Sequence, residues 1–343
     1  MDLNSLFIIF FVFIVFFIIL KKNNLLIDNI SYSNHKIIGA ENKSPIIIGG
    51  VYILAVHLIF NYDYSIFLTL SAILITLLGF TSDKNILSNP KIRIIFQFLI
   101  IILLTYFENL KIDDVKIEFF NLFLLNEYFN LIFTVFCLAI LINGSNFLDG
   151  LNGLLAGYYL IILITIIFLI NSNNEIDIID YNFVIIIIYT LFVFLFFNIF
   201  GKVYLGDSGT YLLSLLIGSY LITFNLNNDL LSPYYIAVLL WYPAFENLFS
   251  LIRRTIKKQK ASLADNLHLH QLIFIFFQSK KILPKKILNS FCGILILLFN
   301  LPGFILANNF PSNSSNLLII IFFNVLLYII SYYFLSKNLV FKK

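Results

Sequence analysis

Long uncharged apolar runs recur through this chain and leave few folds open to it. Eleven can be read: Leu6–Leu20, Ile46–Phe60, Tyr64–Phe80, Ile92–Phe107, Phe129–Ile142, Leu154–Ile170, Asn182–Phe200, Tyr211–Phe224, Tyr234–Phe249, Ile287–Ala307 and Leu317–Leu335. A helix crossing a bilayer core needs about 20 residues, and the shorter runs can each extend by a turn into their flanks. Hydrocarbon offers no water to backbone polar groups, so the runs must become helices or a closed barrel. They do not alternate apolar and polar residues with period two, so helices are expected. Composition agrees, with 60% hydrophobic and 12% charged residues where soluble domains carry about 25% charged. Eleven spans leave roughly 120 residues for all loops, which excludes a separate large soluble domain. The expected fold is therefore all-α, one polytopic membrane unit over residues 1–343. Cys137 and Cys292, the only cysteines, lie in apolar runs, which excludes a disulfide scaffold. Leu6–Leu20 has Asp2 before it and Lys21-Lys22 behind, with no small-residue cleavage site, so it reads as the first span and not as a removable leader.

Sidedness follows from the basic residues. When loops are assigned alternately, only Lys111 and Lys116 of the 22 Lys and Arg fall in one set. The basic set should be cytoplasmic, which puts the N-terminus outside, the C-terminus inside and the number of spans odd. The longest basic loop, Ile252–Lys286, contains an apolar stretch, Leu272–Phe277, expected to lie at the membrane surface. Outside, Lys111–Phe119 alternates around Asp113-Asp114 and suggests a small hairpin. The acids Asp28, Glu41, Asp83, Asp149, Asp207, Glu246 and Asp265 fall on the basic side, most of them at span ends inside polar clusters. Carboxylates from different spans on a basic face suggest a built site.

The densest cluster runs from Asn143 to Gly157. Asn143, Asn146, Asp149 and Asn152 recur every three residues, which on a helix places them along one drifting face. Oxygen side chains so arranged suit a hard cation such as Mg²⁺, and a plain polar turn would not need four of them in register. Gly206-Asp207-Ser208-Gly209 precedes the eighth run; Asp207 or Ser208 could cap that helix, and its start could also receive phosphate. Gly79-Phe-Thr-Ser-Asp83 ends the third run, and alone reads as a solvated acid. His268 and His270, two apart, would not face together on a helix. Glu246, at a membrane boundary, needs a partner, and Arg253 two turns on is the candidate. His35-Lys36 and Pro45–Gly50 complete the polar set.

In this order the stretches resemble the polyprenyl-phosphate N-acetylhexosamine-1-phosphate transferases of glycosyltransferase family 4, and are more similar to the O-antigen-initiating branch than to the peptidoglycan one. Asp28, His35, Lys36, Pro45, Gly49 and Gly50 resemble the family's first-loop pattern, Gly79–Asp83 its aspartate loop, and Asn143–Gly157 its Asn-Ala-x-Asn-x-x-Asp-Gly-x-Asp-Gly signature. Gly206–Gly209 is similar to its Gly-Asp-Ser motif, and Ala264–Gln271 to its His-x-His-His loop. The resemblance implies that loops 21–45, 81–91, 143–153, 201–209 and 252–286 form one active site facing the cytoplasm from the inner (plasma) membrane. It implies transfer of HexNAc-1-phosphate from UDP-N-acetylhexosamine to polyprenyl (undecaprenyl) phosphate with release of UMP, at the start of lipid-linked surface glycan synthesis. Asp83, Asp149 and Asp207 are then the expected catalytic acids, and Asn146 and Asp207 the ligands of Mg²⁺, with Mn²⁺ the alternative ion. Asp83 would bind or deprotonate the acceptor phosphate. Lys36, Asn143, Asn152, Arg253, His268 and His270 would bind substrate, the histidines at the donor diphosphate. Membrane lipid is the expected surrounding, a homodimer is compatible, and no nucleic-acid partner is implied.

Three departures from the family pattern stand out. Ser82 replaces the first of two adjacent aspartates, Asn152 replaces a second signature aspartate, and Gln271 replaces a histidine, which argues against the peptidoglycan translocase. The rival readings are a transporter and a non-catalytic scaffold relative. A transporter would favour polar groups near the membrane midplane, whereas here they gather at span ends and His57 is the chief exception. A cysteine introduced at Lys258 is expected to react only with reagents admitted to the cytoplasm; labelling of intact cells by an impermeant maleimide would overturn the orientation.

Overall fold

The computed structural model describes residues 3–27, 45–60, 65–173, 175–177, 180–258, 267–281 and 283–340. Among them run thirteen helices: α1 (Leu3–Lys22), α2 (Gly49–Ile59), α3 (Ile66–Asp83), α4 (Pro90–Phe107), α5 (Glu118–Leu124), α6 (Glu127–Leu148), α7 (Leu154–Ser172), α8 (Tyr181–Asn198), α9 (Gly206–Leu226), α10 (Pro233–Ile256), α11 (Leu269–Lys280), α12 (Lys285–Asn309) and α13 (Ser314–Val340). Ten are long and apolar enough to cross a membrane. All eleven apolar runs became helix, but the second is shorter than expected. α2 has 11 residues, about 16 Å of rise against a core of about 30 Å. Its first two positions instead form strand β1 (Ile46–Ile47), parallel to β2 (Val203–Tyr204) just before α9. Among the described residues the all-α expectation thus holds apart from this short pairing and an isolated bridge between Ile27 and Ile46.

Helix starts follow their local sequence. Asn89 and Ser232 accept from the N–H groups of Lys91 and Tyr234, each with proline at the first helical position; Ser65 and Asn126 cap α3 and α6 in the same way. Pro243, inside α10, removes the N–H that would bond the carbonyl four residues back. That carbonyl, Leu239 O, receives the hydroxyl of Tyr158 from α7 at 2.8 Å. A freed backbone group inside a membrane protein needs such a substitute.

α9 is the central helix, with 78% of its spanning window buried, whereas α1 has 17% and α13 28%. Buried apolar side chains from Ile9 to Leu335 form one continuous cluster around it. Inter-loop hydrogen bonds respect the expected alternation of sides. At one end Leu68 joins Glu108, Asp177 joins Asn228, and Ser232 joins Ser314. At the other, Ile47 joins Leu26, Asp83 joins α9, and Asn152 joins Asn289.

Two outer and inner details differ from expectation. Lys111–Phe119 makes no hairpin: its backbone at Ile112 is bound on both sides by the Asn130 side chain, and Glu118 opens α5. The apolar stretch 272–277 belongs to the longer helix α11, whose Leu272 and Phe274 are buried.

Close approach of helices sets the scaffold's tolerance. A Cβ on Gly79 would overlap the Ser208 backbone, whereas one on Gly157 would meet a Leu297 methyl at 2.6 Å, the mobile end of a side chain. Gly79→Ala is therefore expected to destabilise by about 1–3 kcal/mol. Gly157→Ala should change stability by less than about 1 kcal/mol, since alanine's helix propensity offsets the adjustment. Thermal unfolding of the detergent-solubilised variants distinguishes the two; equal midpoints would refute the tight α3–α9 contact.

Candidate active site

α9 begins inside protein, and the first turn of any helix carries N–H groups without intrahelical partners. Its N-cap position, Leu205, has no side chain able to accept them. The acceptor comes from α3 instead. Asp83 Oδ1 accepts from the Asp207 N–H at 2.8 Å, and Oδ2 accepts from the Ser208 N–H at 3.1 Å and the Ser208 hydroxyl at 2.8 Å. A carboxylate at the positive end of a helix is doubly favoured, by hydrogen bonding and by the macrodipole. Gly206 makes the turn with φ +73°, and a Cβ there would press on Asp83 Oδ2 at 2.8 Å. Neither Asp207 nor Ser208 caps its own helix, as the local sequence allowed, and the anion at this helix start is the protein's own carboxylate. Both oxygens of Asp83 accept hydrogen bonds from the start of α9.

With its backbone so held, the Asp207 side chain turns to α3 and α4. Its Oδ2 accepts from the Ser82 hydroxyl and from Arg93 Nη1 at 3.1 Å, with the Tyr211 hydroxyl at 3.5 Å; Arg93 Nη1 also donates to Ser82 Oγ. Three of these four bonds converge on Asp207 Oδ2. Ser82 thus supplies a donor to Asp207 where an aspartate would have added a third negative charge, and Arg93 balances part of the remaining two. Both members of the Arg93–Asp207 pair are about one-quarter to one-fifth exposed, at 24% and 20%. Arg93 is not among the expected site residues. Its spacing from Gln97, polar residues four apart at the start of an apolar run, was the available signal.

Gln97 continues the arrangement one turn along α4, where its Oε1 accepts from Asn143 Nδ2 at 3.1 Å. Asn143 and Asn146 therefore stand in the last turns of α6 and not in a loop. The expected four-residue face is broken at Asp149, which ends α6 as its C-cap; Gly153 at φ +78° then starts α7. Only Asn143, Asn146 and Asp149 share the α6 end, because Gly150 and Gly153 release the backbone from the helix. Asn152 lies in the intervening turn, its N–H bound by Asn289 Oδ1 and its amide against Gly201; the neighbouring Gly153 N–H is bound by Asn198 Oδ1.

The histidine segment docks on this same end of α6. His268 is the N-cap of α11 and so stands outside the helix, which removes the objection that residues two apart cannot face together. Its ring stacks on Phe147 at 4.6 Å and lies parallel to that of His270 at 5.6 Å. A Cβ on Gly150 would come 2.8 Å from His270 Nε2, so His270 rests on the turn after α6. Glu246, fully buried in α10, pairs with His268 and not with Arg253 as expected. Arg253 is buried too, donating to the Leu267 carbonyl at 2.6 Å and to the Tyr332 hydroxyl at 3.1 Å. Lys36 and His35 lie outside the described residues, as do Asp28, Asp265 and residues 264–266.

Among the described residues no three His, Cys, Asp or Glu side chains form a metal-binding group. A closed structural cage of the zinc type is thus not formed there. Sparse oxygen donors at helix ends fit Mg²⁺, which keeps waters and substrate phosphates in its shell and uses one or two carboxylates.

Residues 65–225 match glycosyl transferase family 4, a segment that includes Asp83, Arg93, the α6–α7 signature and Asp207. The chain is 30% identical over 216 residues to the probable undecaprenyl-phosphate N-acetylglucosaminyl 1-phosphate transferase of Bacillus subtilis (strain 168), covering 61% of this chain and 58% of that protein. It is 30% identical over 187 residues to the phospho-N-acetylmuramoyl-pentapeptide-transferase of Dictyoglomus thermophilum, covering 52% and 59%. The chain therefore spans about six-tenths of the length of each of these curated relatives.

Removing the Asp83 carboxylate leaves buried N–H groups of α9 unsatisfied. Asp83→Ala is expected to lose about 1–3 kcal/mol, with Asp83→Asn intermediate because its amide oxygen can still accept. Unfolding midpoints in detergent test this; an unchanged midpoint in Asp83→Ala would remove the cap from the fold's energetics.

Proposed function

We propose, from the match of residues 65–225 to glycosyl transferase family 4, that the chain moves N-acetylhexosamine 1-phosphate from UDP-N-acetylhexosamine to a polyprenyl phosphate. An oxygen of the acceptor phosphate forms a bond to the sugar-bearing phosphorus, the diphosphate bond breaks, and UMP leaves. The observation that carries this reading is the convergence of Asp207, Arg93, Ser82 and Asp83 from three helices at the end of the bundle where the Asn143–Asn152 stretch also lies. We place that end at the cytoplasmic face, where a nucleotide sugar is available, and the helix bundle in the plasma (inner) membrane, where the acceptor resides.

Both reactants are anionic at the reacting atoms, so catalysis here is mainly charge neutralisation and alignment. Asp207 and Asn146 would hold Mg²⁺, or Mn²⁺ in its place, which when bound offsets phosphate charge and positions the reacting oxygens. Asp83 fixes the start of α9 and so aims Asp207. Arg93 keeps Asp207 Oδ2 oriented and adds positive charge beside it. Asp149 and Asn152 face the nucleotide, Asn143 aligns through Gln97, and His268 and His270 meet the donor diphosphate. Lys36 adds positive charge from the first loop. Arg253 shapes the histidine segment.

Ser82 alone favours a non-catalytic relative, but its hydroxyl retains the contact to Asp207, so we keep the enzyme reading. Purified chain in lipid nanodiscs with undecaprenyl phosphate, Mg²⁺ and a panel of UDP-N-acetylhexosamines should release UMP. Asp207→Asn should lower that rate by roughly a hundredfold or more, whereas Glu175→Gln, exposed at the opposite end, should leave it unchanged. No UMP from any donor, or equal rates in both variants, would defeat the assignment.

A further inference from the structure

The histidine segment is held from behind by groups that the transfer reaction itself does not use. Glu246 Oε1 lies 2.8 Å from His268 Nδ1, with the two side chains 0% and 4% exposed. Burying a carboxylate is unfavourable unless it is paired and hydrogen-bonded, so this contact is a maintained feature of α10. The backbone around His268 is fixed as tightly. Arg253 Nη1 donates to the carbonyl of Leu267 on one side, and the His268 N–H donates to Gln271 Oε1 at 3.2 Å on the other. Arg253 is itself clamped by the Tyr332 and Ser250 hydroxyls and packs over the Tyr332 ring at 5.4 Å. Phe147 covers one ring face. Glu246, Arg253, His268 and Tyr332 all lie beyond residues 65–225, the segment matched to the family.

An ionised carboxylate can only accept a hydrogen bond, so it selects the imidazole form that carries its proton on Nδ1. We propose that Glu246 is a positioning residue: it fixes His268 as the Nδ1–H tautomer and makes Nε2 the ring atom that meets the phosphates of the donor. Arg253 and Tyr332 of α13 complete the hold by fixing the chain on which the ring is mounted. Replacing a carboxylate in such a pair by an amide allows the amide N–H to donate to Nδ1, which reverses the tautomer while preserving shape. The role assigned to Nε2 rests on the transferase reading above; the tautomer does not.

The test uses the full chain in lipid nanodiscs with ¹⁵N-labelled histidine. The chain holds four histidines, and the His268 signal is assigned by its loss in His268→Gln. The wild type should show the His268 proton on Nδ1. In Glu246→Gln it should move toward Nε2, and the turnover number for UMP release should fall by about tenfold or more with the KM for donor changed less than about threefold. Glu246→Asp should restore the Nδ1–H form and part of the turnover. A merely structural ion pair would lower the unfolding midpoint in Glu246→Gln and leave tautomer and turnover of the folded fraction as in the wild type, which overturns the proposal. Should Glu246→Gln fail to fold, the wild-type spectrum decides, since a proton on Nε2 alone is incompatible with it. Absence of UMP release from the wild type would defeat the transferase reading, and the spectra would still judge the Glu246–His268 pair.

Discussion

A helix that starts within a membrane protein needs an acceptor for its first N–H groups, and α9 obtains one from another helix. The Asp83 carboxylate joins the end of α3 to the beginning of α9 through both of its oxygens. Water cannot substitute cheaply at such a site, because the surrounding groups are packed against Gly79, Gly206 and Ile47. Everything else at this end of the bundle takes its position from that junction. The Asp207 backbone is held by Asp83, so its side chain is directed toward Ser82 and Arg93. The β1–β2 pairing ties the first loop to the same few residues.

Charge explains why the junction is also a candidate site. Arg93 bonds the Asp207 carboxylate while the Asp83 carboxylate bonds the Asp207 and Ser208 N–H groups, so two carboxylates gather around one guanidinium and leave a local negative excess that a divalent cation can relieve. A serine at position 82 limits that excess, and its hydroxyl relays between Arg93 and Asp207. The amide of Gln97 carries the arrangement from α4 to α6, so the aspartate loop and the Asn-rich signature are parts of one connected polar layer. Neutral amides do this without adding charge to a poorly solvated region, which is less costly than a further ion pair.

The second half of the polar end is built by α10, α11 and α13. Pro243 and Gly144 let α10 approach α6 closely, and this brings Glu246 behind the Phe147–His268 stack. α13, peripheral and largely lipid-facing over its spanning window, still contributes Tyr328 and Tyr332 to the aromatic cluster around Phe249. Through the Tyr332 hydroxyl bonded to Arg253, α13 also reaches the histidine segment.

The architecture was legible in the sequence because it depends on local quantities: run length, absence of charge, and the cost of unsatisfied backbone in hydrocarbon. The order of the polar stretches carried the family resemblance. The pairing of those stretches was not legible. Asp83 and Asp207 are separated by 124 positions, and nothing local says that Asp83 will cap a distant helix while Asp207, with an ideal capping residue type, will not cap its own. The choice of His268 over Arg253 as partner of Glu246 is of the same kind, as is Arg253's binding of a backbone carbonyl. Only the packed bundle fixes which buried donor lies nearest to which buried acceptor, since each must be satisfied by whatever the neighbouring helix presents.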